Sequence, residues 1–205
     1  MQPEIIMEIK DRIISGARQM FVKYGIRSIT MDMIAEHLGI SKRTIYEIFK
    51  DKDKLLNHCI NAGMVEQRAR NDGIILSSSN IIEATFKFIE NSINIIKSIN
   101  PAFFYDIRKY YPGIWASKIK ENDARNLNRT IELLNKGIDE NLFREDINVE
   151  IVAKLILEQF SLLSNRNIFP ENEYSMIEVF ENIVINFIRG IATEEGMNMI
   201  NQYNK

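Results

Sequence analysis

The sequence predicts an all-α fold on three observations. Apolar residues recur at three- and four-residue intervals through most of the chain, as one face of a helix requires. Ser, Thr, Asn, Pro and Gly fall at the ends of those stretches, where capping and chain reversal need them. No stretch alternates apolar and polar residues as a half-buried strand does, and there is no internal repeat or low-complexity tract. The 205 residues are 45% apolar, ample for a buried core.

The elements follow in order. Ile5, Ile9, Ile13, Ala17, Met20, Phe21 and Tyr24 mark a first helix, which Gly25 ends. Thr30 caps a second helix, Met31 to Leu38, because its hydroxyl accepts an orphan amide and Asp32 suits the positive first turn. Ile34 and Leu38 form its apolar stripe. Gly39 takes the left-handed backbone that closes this helix, Ile40 turns inward, and Ser41 caps a third helix through Phe49. A fourth helix starts near Asp51, carries Leu55, Leu56, Cys59, Ile60 and Met64, and fades in "EQRARND"; "GIILSSSN" then breaks the pattern. Asn80 with Glu83 three residues later matches a capping box and opens a helix through Phe86, Ile89, Ile93 and Ile96. Pro101 marks one boundary, and Pro112 with Gly113 the next. A long helix covers Ile114 to about Asn141, a turn lies near "FREDIN", and two helices follow, roughly Val149 to Asn165 and Tyr174 to Ile191.

The last two helices carry more apolar surface than one interface needs. Val149, Val152, Ile156, Phe160 and Leu163 form one stripe, with Ile151, Leu155 and Leu162 as a second; Met176, Phe180, Ile183, Phe187 and Ile191 lie beside Ile177, Val184 and Ile188. Two partners are implied, one of them the protein's own core.

Two short helices meeting at a Gly-containing turn are the elements of a helix-turn-helix, whose second helix enters the DNA major groove by its N-terminal residues. Ala35 is small enough to let the pair cross closely. On the second of them Ile45, Ile48 and Phe49 face inward, which leaves Lys42, Arg43, Tyr46 and part of Thr44 outside. Lys42 and Arg43 lie where a side chain reaches guanine O6 and N7, while Thr44 and Tyr46 suit phosphate oxygens. The capping residues Thr30 and Ser41 belong to the same candidate DNA-binding set. Lys50 and the N-terminus of the fourth helix offer a charge and amides to a further phosphate.

The stretch "TMDMIAEHLGISKRTIYEIFKDKDKLL", with "ARQMFVKYGIRSIT" before it, resembles the helix-turn-helix signature of the TetR/AcrR family of one-component bacterial regulators. The match runs from Ala17 to Leu56; beyond it only the general plan and the "LFREDINVEIVAKLI" entry into the penultimate helix are similar. The resemblance implies a three-helix DNA-binding domain at 1–52 and a larger helical ligand-binding and dimerisation domain at 53–205. It further implies a homodimeric repressor that binds a palindromic double-stranded DNA operator and is released by a small-molecule effector. On that reading the pocket residues are Phe86, Phe103, Phe104, Tyr105, Tyr110, Tyr111, Trp115 and Phe160. The dimer seam is formed by Val152, Leu155, Ile156, Leu162, Phe180, Ile183, Val184 and Phe187. Glu47 and Ile48 depart from the family pattern, since basic, aromatic or amide residues often stand there, and fewer phosphate contacts are expected from this end of the helix. Glu47 either accepts from a cytosine amino group or faces water.

Charge and composition bound the alternatives. The net charge is −2, yet residues 1–55 carry 10 Lys/Arg against 8 Asp/Glu and the remainder 16 against 20, so the positive end is the N-terminal one. Cys59 is the single cysteine, which rules out an internal disulfide, and its place on an apolar stripe favours a structural thiol over a redox sensor. His37 and His58 have no second ligand at metal-binding spacing. No metal and no cofactor is expected, and the absence of a nucleophile–base motif or a phosphate-cradling Gly loop disfavours an enzyme. With Glu4 where a signal peptide wants positive charge, and no stretch of membrane-spanning length, the sequence reads as a soluble cytoplasmic protein. The competing reading is a helical ligand-sensing or protein-interaction scaffold that does not bind DNA.

Overall fold

Capping residues set the helix boundaries in the computed structural model, which describes the backbone of residues 3–164, 167–170 and 172–203 and the side chains of all these except 3–5, 119–125 and 164. Ile5 and Asn165 of the sequence reading therefore lie outside the described side chains. Among the described residues ten α-helices follow one another: α1 (Pro3–Tyr24), α2 (Met31–Leu38), α3 (Lys42–Ile48), α4 (Lys52–Leu76), α5 (Ile81–Ser98), α6 (Pro101–Tyr110), α7 (Pro112–Asp139), α8 (Val149–Ser161), α9 (Met176–Ile191) and α10 (Glu194–Tyr203). A 3-10 turn, Leu162–Ser164, continues α8. The fold is all-α; among the described residues the one extended pairing is an isolated bridge between Phe143 and Ala192.

Four boundaries differ from the sequence expectation. α4 does not stop at the polar stretch but runs to Leu76 through Gly73, whose cost of roughly 1 kcal/mol in a helix is tolerated. The hydroxyls of Ser77 and Ser78 then cap its end by donating to the Ile74 carbonyl. α7 begins at Pro112 itself, since the first helical turn needs no amide from proline. α6 is a helix in its own right: Asn100 caps it, accepting from the Ala102 amide at 2.9 Å, and Pro101 occupies the first position. α10 extends the chain past Ile191, with Thr193 accepting from the Gly196 amide at 3.1 Å and Glu194 and Glu195 in its first turn.

Packing divides the chain into two compact units, Met1–Arg70 with Lys97–Ile119, and Asn71–Ile96 with Lys120–Lys205. A division at 52/53 thus separates residues that pack together, because α6 and the start of α7 join the N-terminal helices.

In the first unit Ile13, Ala17, Phe21, Ile34, Ile45, Leu55 and Leu56 form the centre of the core, each at most 1% exposed. The segment between α1 and α2 is fastened to α6 from several sides. The Asn100 amide donates to the Val22 carbonyl at 2.9 Å and its side chain donates to that of Lys23 at 3.1 Å, satisfying two carbonyls at the end of α1. Asp106, 6% exposed, accepts from the Arg27 amide at 2.7 Å. Gly25 sits at φ +83°, and an added Cβ would lie 3.0 Å from that of Ala102, so backbone conformation and space both require glycine there. Lys52 donates to the Ile26 carbonyl at 2.6 Å and lies over the Phe21 ring; burial lowers its pKa, against the opposing charges of Asp106 and Asp53. Cys59 is 3% exposed and donates to the Ile14 carbonyl, with burial pushing its thiol up to about 12. That is the environment of an inert structural thiol.

The second unit closes around Ile82, Leu134, Leu142, Ala153, Ile188 and Ile200. α10 covers Phe86, whose ring stacks on Tyr203 at 5.0 Å. At the start of α5 the Asn80 side chain accepts from the Glu83 amide at 2.9 Å, and the Glu83 carboxylate reaches back to the amide of Ser79, one residue before the expected capping-box partner. Lys87 and then the Ser79 amide hold the Glu83 carboxyl down to about 2.

Two outcomes follow. Replacing Asp106 with Ala strands the Arg27 amide and lowers unfolding stability by about 1–3 kcal/mol in denaturant titration, whereas Asp106→Asn, which keeps an acceptor, loses less. The Glu83 contribution is complete above the unfolded carboxyl value of about 4.3 and is lost as pH falls through the folded value. A Glu83→Gln variant therefore shows a shallower decline in stability between those limits, read by thermal unfolding across pH.

Candidate nucleic-acid interface

The α2–turn–α3 unit is built by local chemistry at four positions. Thr30 is extended and its Oγ1 accepts from the Met33 amide at 3.1 Å. At the other end Gly39 adopts φ +63°, its amide donating to the Glu36 carbonyl at 3.1 Å and that of Ile40 to the Ala35 carbonyl at 3.0 Å. That pair of bonds is a Schellman motif. Nothing lies within 4 Å of a Cβ built on Gly39, so it is the left-handed backbone, not space, that selects glycine. Ser41 then caps α3, its Oγ accepting from the Thr44 amide at 3.0 Å and bonding the Thr44 hydroxyl at 2.8 Å.

Burial sorts the α3 side chains into two faces. Ile45 and Phe49 are 0% and 2% exposed and Ile48 is half-buried, while Lys42, Arg43, Tyr46 and Glu47 face solvent and Thr44 is intermediate. Phe49 meets the edge of His58 at 5.5 Å. Burial, then the charges of Lys10 and Lys54, keep the His58 pKa below its ordinary value.

Both outward cations of α3 have intramolecular counter-ions. Lys42 pairs with Asp32 in the first turn of α2, and Arg43 Nε donates to Glu47 at 2.7 Å one turn along α3. The hydrogen bond that Lys42 donates to Asp32, then the charge of Asp32, raises the Lys42 pKa; Glu47 acts on Arg43 in the same order. Glu47 thus bridges to a neighbour on its own helix, an arrangement the departure from the family pattern did not suggest. Tyr46 is 49% exposed.

At the start of α4 the chemistry differs from a free amide cluster. The Asp51 carboxylate accepts from the Lys54 amide at 2.7 Å, so a capping carboxylate already holds part of the site expected to meet a phosphate. Lys52 points back into the core as described, and Lys50 is exposed with no ion pair among the described residues.

The aromatic residues flanking Pro112 belong to the first unit. Phe103, Tyr111 and Trp115 pack on the core of the first unit, and Phe104 meets Phe103 edge to face at 5.6 Å. Tyr105 and Tyr110 are exposed; Tyr110 accepts from Arg27 at 2.6 Å and Lys109 donates to Tyr105. Arg108 lies over the Trp115 ring. A cavity of about 210 Å³ lies within the second unit, bounded by α4, α5, α7, α8 and α9 residues such as Ile74, Phe88, Leu133, Phe160 and Phe187. Of the expected pocket set only Phe160 lines it. The missed signal was the apolar end of α4, Ile74 and Ile75, hidden behind a polar stretch.

The expected seam residues are divided by burial. Ile156, Phe180 and Val184 are buried within the chain, Phe180 stacking on Phe160 at 5.9 Å, and Ile156, Val184 and Phe187 line the cavity. Val152, Leu162 and Ile183 are half-buried, and Leu155, with its neighbour Ile151, remains more than half exposed.

Residues 13–59, which span α1 to the first turns of α4, match the family model of bacterial regulatory proteins, tetR family. The chain is 24% identical over 172 residues to the uncharacterized HTH-type transcriptional regulator YvaF of Bacillus subtilis, covering 82% of this chain and 88% of that protein. It is also 24% identical over 155 residues to the HTH-type transcriptional repressor KstR2 of Mycobacterium tuberculosis, covering 72% and 75%. A crystal structure of a transcriptional regulator from Cytophaga hutchinsonii has the same fold, with TM-score 0.70, 21% identity, and 89% and 98% of the two chains covered. The capped helix pair, its buried inner face and its outward row of donors fall inside the segment that matches the tetR-family model, and most of the chain is similar to HTH-type transcriptional regulators.

Proposed function

We propose that this regulator is a repressor that binds a palindromic operator as a homodimer and is released when a small molecule enters the cavity of its second unit. The observation that carries the DNA reading is the division of α3 into a core face, Ile45 and Phe49, and a solvent face bearing Lys42, Arg43 and Tyr46. In the proposed complex, the two recognition helices of a dimer enter successive major grooves about 34 Å apart. Lys42 and Arg43 exchange their intramolecular carboxylates for guanine edges, and Thr30, Ser41, Thr44, Tyr46 and Lys50 position the backbone. The exposed apolar pair Ile151 and Leu155, with Val152, Leu162 and Ile183, supplies the seam. Effector binding displaces α4 near Ile60 and Met64 and changes the separation of the two α3 helices. A coupling of about 1–3 kcal/mol is enough for tens-fold induction.

The ion pairs of Lys42 and Arg43 also fit a scaffold without DNA binding. A gel shift with the duplex upstream of the protein's own gene separates the readings, since a scaffold retards no duplex.

Removing Arg43 by substitution with Ala weakens operator binding by about 1–3 kcal/mol, and Tyr46→Phe by about 0.5–1.5 kcal/mol, both read by fluorescence anisotropy; unaltered affinity in both variants removes the assigned contacts. In the same assay Lys50→Ala lowers the slope of log affinity against log salt by about 0.9 if that side chain meets a phosphate. Glu47→Gln removes a negative charge from the DNA-facing side and frees Arg43. It raises affinity for random duplex more than for operator, so the specificity ratio falls.

A further inference from the structure

Resting on the reading of the cavity as the effector site, we propose that its ligand is a small uncharged apolar molecule, about the size of a benzene ring bearing a short alkyl chain. Size sets the first limit. An apolar protein cavity of about 150 Å³ holds benzene, and drug-sized pockets run from about 300 Å³ upward. At about 210 Å³ this one has room for one ring and a few further carbons. Four fused rings, nearly three times the carbons of benzene, would protrude from it.

Charge sets the second limit. The walls include Phe88, Phe143, Phe160 and Phe187, and no Asp or Glu lines the cavity among the described residues. Its one lining cation, Arg129, donates to Asp72 at 2.6 Å and to Glu132 at 2.9 Å. A carboxylate or phosphate entering here would have to compete with two acids already bonded to that guanidinium, and it would leave water without a surplus positive charge to meet it. A quaternary ammonium finds aromatic faces but also Arg129 and no counter-charge. Thr85 uses its hydroxyl on the Ile81 carbonyl of its own helix at 2.7 Å. The other polar residues of the wall, Asn71 and Thr130, are neutral, so the polar part of the wall suits a neutral group and not a charged one.

The test is calorimetry on the full-length chain with four probes: propylbenzene, octanoate, choline and a four-ring steroid. Propylbenzene is expected to bind at least tenfold more tightly than each of the others. Ala84→Leu, which fills the cavity from α5, is expected to weaken that binding at least tenfold. Thr130→Leu, entering from α7, provides the same reading if the first variant fails to fold. Octanoate, choline or the steroid binding as tightly as propylbenzene overturns the inference, as does absence of propylbenzene binding, or binding that survives unchanged in a folded filled variant. Operator release is measured separately. Propylbenzene bound in the cavity with DNA affinity unchanged upholds the ligand class while removing the effector role from the site.

Discussion

Burial of Ile45 and Phe49 is the constraint on which the DNA-facing surface depends. α3 has seven residues, too few to be stable as an isolated helix, so its conformation is secured by the core beneath and by caps at its ends. With those two side chains inside, the 100° step of the helix leaves Lys42, Arg43, Tyr46 and Glu47 no choice but to face outward. The Schellman turn at Gly39 fixes the direction from which the chain enters α3, and Ser41 satisfies its first amides. Charge on the outer face can thus vary without disturbing the fold.

That freedom bears on how an acidic protein can bind a polyanion. Asp32 and Glu47 neutralise the two outward cations of α3, and these exposed pairs contribute little to stability. In the proposed complex their effect falls on binding: an exchange of carboxylate for nucleic acid gains least where geometry is poor and most where base edges offer matched acceptors. Counter-ions within the protein therefore oppose indiscriminate attachment more than fitted attachment, at the price of absolute affinity.

The N-terminal unit is larger than its DNA-binding motif. Asn100 and Asp106, from a helix far along the chain, supply a donor to a carbonyl at the end of α1 and an acceptor to the amide of Arg27. The segment that leads into α2 is held by these polar bonds, of which the part-buried one to Asp106 is the more expensive to leave unmade. The second unit is built differently. Its cavity is walled by rings and branched aliphatics, and its charged groups satisfy one another at the edge.

Sequence by itself determined what depends on neighbours within a turn or two. Thr30, Gly39, Ser41, Asn80 and Glu83 announced their caps because a capping bond spans three or four residues, and periodicity divided the faces of α3 because helical geometry is local. α10 lies beyond the last expected helix although Thr193, Glu194 and Glu195 carry the same kind of signal, because its apolar stripe after Ile191 is short. Only the tertiary structure decided that the aromatics around Pro112 pack on the N-terminal core while the cavity opens beside Ile74 and Phe160. It also decided that Arg43 faces its own Glu47 and that Asp106 holds the Arg27 amide. Which apolar side chains fill a core and which line a void depends on contacts among elements distant in sequence, and such contacts leave no periodic trace along the chain.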